Sequence, residues 1–262
     1  MTQQARTSSE SSFPPEAYSY AAMYQLGQPI AVYRVVYRTS ITLGIICLLL
    51  ALLFGGAANS GESSGASVVF LLVLALLCLV GAVYYLAVYP LRHHSWRIYG
   101  CADGFVFLKG SAAIACRWDQ VAVVWQRIVR YYRNGIYAGT SFKYTVQRDD
   151  GVKIVITQIF RSGSELGARV QREAAHRLTP KALAAVQAGQ TLAFGRFSLS
   201  RQGLGTPRGV IPWKEAPQVS ARSGLLMIQR RDQRRAKSYG QVSTIPNLNV
   251  FLSVAETLVQ RR

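Results

Sequence analysis

The chain has 262 residues, with 30 Lys and Arg against 12 Asp and Glu and a net charge of +18. That length allows one or two domains, and the charge is unevenly placed: residues 1–90 hold Arg6, Arg34 and Arg38 against Glu10, Glu16 and Glu62, so the whole excess falls on residues 91–262. An excess of this kind favours an anionic partner, while four cysteines without CxxC spacing read as small buried hydrophobes rather than as metal ligands.

Residues 1–17 are rich in Ser, Thr, Gln and Pro and are expected to be a disordered leader with no secretory signal pattern. Residues 18–38 form an aromatic juxtamembrane segment in which Tyr33 and Tyr37 suit an interfacial belt. Residues 39–58 and 66–89 are apolar, free of Lys, Arg, Asp, Glu and His, and long enough to cross about 30 Å of hydrocarbon as helices. Residues 39–90 therefore read as a transmembrane hairpin. Arg34 and Arg38 precede it, Arg92 and Arg97 follow it, and the connecting loop carries only Glu62, so both termini are expected on the cytoplasmic side of a cell inner membrane. Gly44, Gly55, Gly56 and Gly81 permit close helix contact without forming a GxxxG pair.

After Pro90 the apolar period changes to that of strands, over residues 96–101, 105–108, 112–118, 121–130, 142–146 and 152–160. Asp103-Gly104, Asn134-Gly135 and Asp150-Gly151 are the turn signals between them. A helix capped by Ser164 carries Leu166, Val170, Ala174 and Leu178 on one face. Thr179-Pro180 is expected to end it and to start a second, short helix over residues 181–188. Strands resume at 191–200, 219–221, 225–229 and 239–244, and a last helix begins near Pro246, with Arg261 and Arg262 at its C-terminal dipole.

The order of elements repeats. Trp118 in CRWDQVAVV and Trp213 in IPWKEAPQV open corresponding strands, and each half ends in an amphipathic helix. The expected fold is α+β, a two-helix transmembrane hairpin followed by tandem antiparallel sheet units over residues 91–189 and 190–262, each closed by its C-terminal helix. The W-[DK]-[QE] strand starts resemble those of bacterial pleckstrin-homology-like domains. The succession LGQPIAVYR, hairpin, W-D-Q, ALAAVQAGQTLAFGRFSLSRQGL, IPWKE and IPNLNVFLSVAETL is similar to an uncharacterised family of bacterial membrane proteins, a domain of unknown function. That resemblance implies a packing role for Trp118 and Trp213 and brings no catalytic residue with it.

His93, His94 and His176 lack the spacing of a zinc site, no GxSxG or P-loop occurs, and Asp103, Asp149 and Asp150 sit where turns want them. No catalytic residue, metal ligand or cofactor is expected. The strongest polar feature is the run Arg230, Arg231, Arg234, Arg235 and Lys237, placed between two strands, which suits anionic lipid headgroups or a protein partner. Arg127, Arg130 and Arg133 alternate with Tyr131, Tyr132 and Tyr137, a pattern better explained by cross-strand packing than by nucleic-acid binding, which is disfavoured. The sequence thus points to a non-enzymatic, membrane-anchored binding or regulatory module, or alternatively to an accessory subunit of a transport or envelope-stress complex. The spans carry no charge to line a substrate path.

Overall fold

The computed structural model describes residues 13–60, 65–215 and 218–260. Most of the expected leader, Glu62 of the connecting loop, and Arg261 and Arg262 lie outside the described residues. Ordered chain begins earlier than expected. Helix α1 (Pro15–Met23) starts on a proline, whose fixed φ suits the first helical turn, and it buries Ala17 and Ala21 with Leu26 against Tyr99, Cys101, Val106 and Leu108.

Strand β1 (Pro29–Arg34) lies in what reads as a juxtamembrane segment, and it pairs antiparallel with β2 (Arg97–Cys101), Tyr33 opposite Ile98. Between them run α2 (Arg38–Ala58) and α3 (Gly65–Val83), the latter continued by a π-helical turn (Tyr84–Val88) and by α4 (Tyr89–His93). Both helices are long and apolar enough to cross a membrane, and few of their residues are buried. The hairpin is therefore an insertion between the first two strands of a sheet. Gly44 and Gly81 sit where α2 and α3 approach: a Cβ on Gly44 would lie 2.5 Å from Leu86, and one on Gly81 would lie 3.4 Å from Cys47, whereas Gly55 and Gly56 face open space. Pro90 cannot donate to a carbonyl one turn back, and the widened turn that accommodates it leaves the Tyr85 carbonyl to accept from Ser40 Oγ at 2.6 Å.

Two sets of elements follow the same plan. In the first, β1, β2, β3 (Gly104–Lys109) and β4 (Ala112–Arg117) form a four-stranded antiparallel sheet in that order. A 3₁₀ turn at Trp118–Gln120 leads to β5 (Val121–Arg133), β6 (Ile136–Arg148) and β7 (Lys153–Thr157), a three-stranded antiparallel sheet, and then to α5 (Gly163–Gln187). In the second, β8 (Leu192–Phe194), β9 (Phe197–Leu199), β10 (Gly203–Thr206) and β11 (Gly209–Pro212) form four strands. Strands β12 (Gln218–Arg222), β13 (Leu225–Gln229) and β14 (Lys237–Gln241) form three, and α6 (Leu248–Gln260) follows them.

Three local expectations are corrected. Asp103-Gly104 is not a left-handed turn, since neither residue has positive φ; glycine is required there because a Cβ would strike the Cys116 carbonyl. Residues 191–200 are two strands rather than one, folded at Gly195 with φ +66°. Thr179-Pro180 does not end a helix, because α5 runs unbroken from Gly163 to Gln187 with Pro180 inside it. The physical reason is burial on both sides of the proline. Leu166, Val170 and Ala174 pack into the core of the first set with Val124, Tyr144 and Ile156, while Ala182, Leu183 and Val186 pack into that of the second with Leu204, Trp213 and Phe251. Leu178 touches both cores.

Candidate functional site

The basic run predicted to bind anions is the loop from β13 to β14, and it is not uniformly free. Arg230 is about one-third exposed and reaches Glu215 at 2.6 Å and Asp232 at 3.4 Å, while the Arg231 amide donates to the Glu215 carbonyl. Arg230 thus fastens the loop to the segment after Trp213. Arg231, Arg234, Arg235 and Lys237 are exposed, and no carboxylate stands within ion-pair distance of them among the described residues.

The second cluster sits on an extended finger. Strands β5 and β6 are 13 residues each, but β7 is only 5 and pairs with β6 no further than Lys143 opposite Thr157. Beyond that level Ile128–Arg133 and Ile136–Phe142 continue as a two-stranded ribbon, about 20 Å long at about 3.3 Å per residue. Asn134 and Gly135 turn it with φ of +50° and +78°, the left-handed pair that a two-residue hairpin needs. Tyr131, Tyr132, Ile136 and Tyr137 are exposed, Ile136 to 74%. Tyr132 does meet Tyr137 across the strands, with ring centroids 6.1 Å apart, yet this pairing leaves most of both rings in the open. Arg127, Arg130 and Arg133 are likewise exposed, and none has a carboxylate partner among the described residues.

The finger leaves its sheet at the end nearest the long helices. Past Thr157 the chain crosses to β1: Val36 donates to the Ile159 carbonyl at 2.7 Å, Arg161 donates to the Arg34 carbonyl at 2.9 Å, and Val35 bridges Phe160. Helix α2 begins at Arg38, directly after these contacts.

A groove of about 820 Å³ runs along the finger, with residues 126–130 and Tyr132 on one wall and residues 221–224 and 241–243 on the other. Arg127, Arg130 and Arg222 line it and no carboxylate does. The turn between β12 and β13 faces Ile128, whereas the 230–236 loop leaves from the opposite end of β13. The two basic features named from sequence are therefore held apart.

Trp118 and Trp213 occupy matching places. Each is buried and follows the fourth strand of a four-stranded sheet, and each donates its indole N–H to the loop between that sheet's second and third strands: Trp118 to the Ala102 carbonyl at 2.8 Å, Trp213 to the Ser200 carbonyl at 2.9 Å. Gly104 and Gly203 open the third strands, where a Cβ would strike the Cys116 and Ile211 carbonyls. Asn247, absent from the sequence reading, joins the two sets. Its backbone N–H donates to the Val124 carbonyl, its Oδ1 accepts from the Val124 N–H, and its Nδ2 donates to the Ala122 carbonyl, all within 2.9 Å.

Burial pushes the Cys101 thiol up to about 11 and the Cys116 thiol up to about 12, with Arg169 and Arg148 respectively opposing. His93 and His94 bond the Tyr89 and Leu91 carbonyls through Nδ1, His176 is exposed, and among the described residues no three metal-ligating side chains come together.

A pair of apolar helices inserted into a tandem of antiparallel sheets, with an exposed basic and aromatic finger, defines the class of protein. In particular, the chain belongs to a family of unknown function, DUF6585, whose sequence profile matches residues 1–262. No curated protein and no solved structure matches it.

Proposed function

We propose that this is a non-enzymatic, two-pass membrane protein whose pleckstrin-homology-like cytoplasmic part presents a basic surface to anionic lipid headgroups. The observation that carries the reading is the β5–β6 finger, in which exposed tyrosines and Ile136 alternate with three arginines that have no carboxylate partner among the described residues, and which leaves its sheet at the end joined to the origin of α2. Rings with one polar end and arginines with long apolar stems favour the boundary between water and acyl chains. Each cation near an anionic leaflet contributes about 1 kcal/mol. Two repeats of four strands, three strands and a helix support the pleckstrin-homology-like reading, and Arg34, Arg38, Arg92 and Arg97 around the hairpin favour cytoplasmic termini. The β13–β14 loop, through Arg231, Arg234, Arg235 and Lys237, offers a second anionic contact of lesser reach, because Arg230 is committed to Glu215.

Hydrogen exchange of the full chain in nanodiscs tests the reading. Amides of residues 128–140 are expected to exchange several-fold more slowly in phosphatidylglycerol than in phosphatidylcholine discs, and the difference should vanish at high salt. Equal exchange in both lipids would defeat it and favour an accessory subunit that meets only protein.

A further inference from the structure

Strand β5 is an edge strand, and the Asn247 clamp reveals which of its backbone groups face outward. Val124 turns both its N–H and its C=O to Asn247, so the pair Val124 and Val146 is one that makes no ladder bonds between β5 and β6. The register continues without a bulge from Val123 to Tyr131. Gln126, Ile128 and Arg130 share the parity of Val124, so their N–H and C=O groups also point away from β6, into the groove. Asn247 covers the edge at residues 122–124, the Gly224 turn stands against the Ile128 carbonyl, and the Gln126 side chain accepts from Gln171 Nε2 at 2.8 Å, while no hydrogen bond from outside the finger reaches the backbone N–H or C=O of Gln126, Ile128 or Arg130 among the described residues. A bare strand edge is a template for another strand, and proteins commonly cover or charge such edges.

We infer that the β5 edge groove takes an extended, acidic polypeptide segment of another protein as an added strand. Gly224 stands against the Ile128 carbonyl, so the edge open to a new strand lies beyond it, from Val129 to Tyr132, about 10 Å at about 3.3 Å per residue, room for a short strand of about four residues. Backbone pairing would supply the register, and Ile128 and Tyr132 offer apolar contact to alternate side chains. The choice of an acidic segment follows from Arg127, Arg130 and Arg222, which line the groove with no carboxylate among them. This goes beyond the lipid reading and does not depend on it, since the groove runs along the side of the finger rather than at its tip.

The test uses the full chain in neutral detergent, with a fluorescent eight-residue peptide alternating Glu and Val as probe. Three comparison probes are its Lys-Val counterpart, a copy N-methylated at alternate residues to block edge pairing, and phosphatidylglycerol vesicles. The Glu-Val peptide is expected to bind in a salt-sensitive manner and to slow exchange of the Arg130 amide. Binding should fall at least tenfold for the N-methylated peptide and for the Arg130→Glu, Arg222→Glu double variant. Equal binding of the methylated peptide would overturn strand addition, and binding of the vesicles with none of the Glu-Val peptide would assign the groove to lipid.

Discussion

Trp118 and Trp213 do the same work, each closing a four-stranded sheet by an indole bond to a loop carbonyl. Trp118→Phe or Trp213→Phe keeps most of the apolar contact but strands a partly buried carbonyl, so each should lower unfolding free energy by about 1–3 kcal/mol. Full truncation of either to Ala should cost about 3–5 kcal/mol, measured by denaturant melts in detergent. The buried thiols give a pH signature. Cys101 and Cys116 have folded values near 11 and 12, above the ordinary 9.0, so burial favours the protonated forms. Their contribution to stability is complete below about pH 9 and is lost as pH rises through 11 and 12. Cys101→Ala, Cys116→Ala chains should lose less stability between pH 8 and pH 11 than the parent; an equal loss would mean these thiols do not set the alkaline limit. Both tryptophans were legible in the sequence, because a large aromatic before a strand is a visible landmark. Asn247 was not, because its role is contact with a strand 123 residues away and leaves no local pattern.

Among the elements, α5 is the most informative. A Thr-Pro pair ordinarily signals a helix boundary, and here two cores on one helix override that local preference. Pro180 is exposed and interior to α5, so Pro180→Ala restores a backbone donor and should raise stability by up to about 3 kcal/mol, with a higher Tm. If residues 179–180 were a true boundary, the substitution would be neutral or harmful. The Asn134-Gly135 turn was readable since its chemistry is local, and both residues adopt the expected left-handed conformation. Strand β1 was hidden for the opposite reason: its partner β2 lies on the far side of 62 residues that include both long helices, Arg34 pairing with Arg97 between Pro29 and Cys101. The exposure of the finger was equally hidden, because alternating residues look the same in a strand packed on a core and in one that has outrun it.

The whole molecule is tied to its apolar helices through the sheet itself, since β1 enters the hairpin and β2 leaves it. Residues 91–262 alone lack β1 and α1 and leave Ile98, Tyr99 and Val106 without their cover, so this fragment should aggregate. Adding residues 13–37 through a short linker in place of the helices should restore a monomer with native near-ultraviolet dichroism; an equally well-folded 91–262 fragment would count against a shared sheet. The central claim, that the finger meets an anionic leaflet, is most directly tested by its depth. A nitroxide on Ile136→Cys, with Cys47 and Cys78 replaced by Ala, would be measured in nanodiscs; Cys101 and Cys116 are buried and escape labelling. In phosphatidylglycerol discs the nitroxide should be reached by oxygen but shielded from an aqueous nickel chelate, and in phosphatidylcholine discs it should be open to nickel. Full access to nickel in both lipids would contradict the claim.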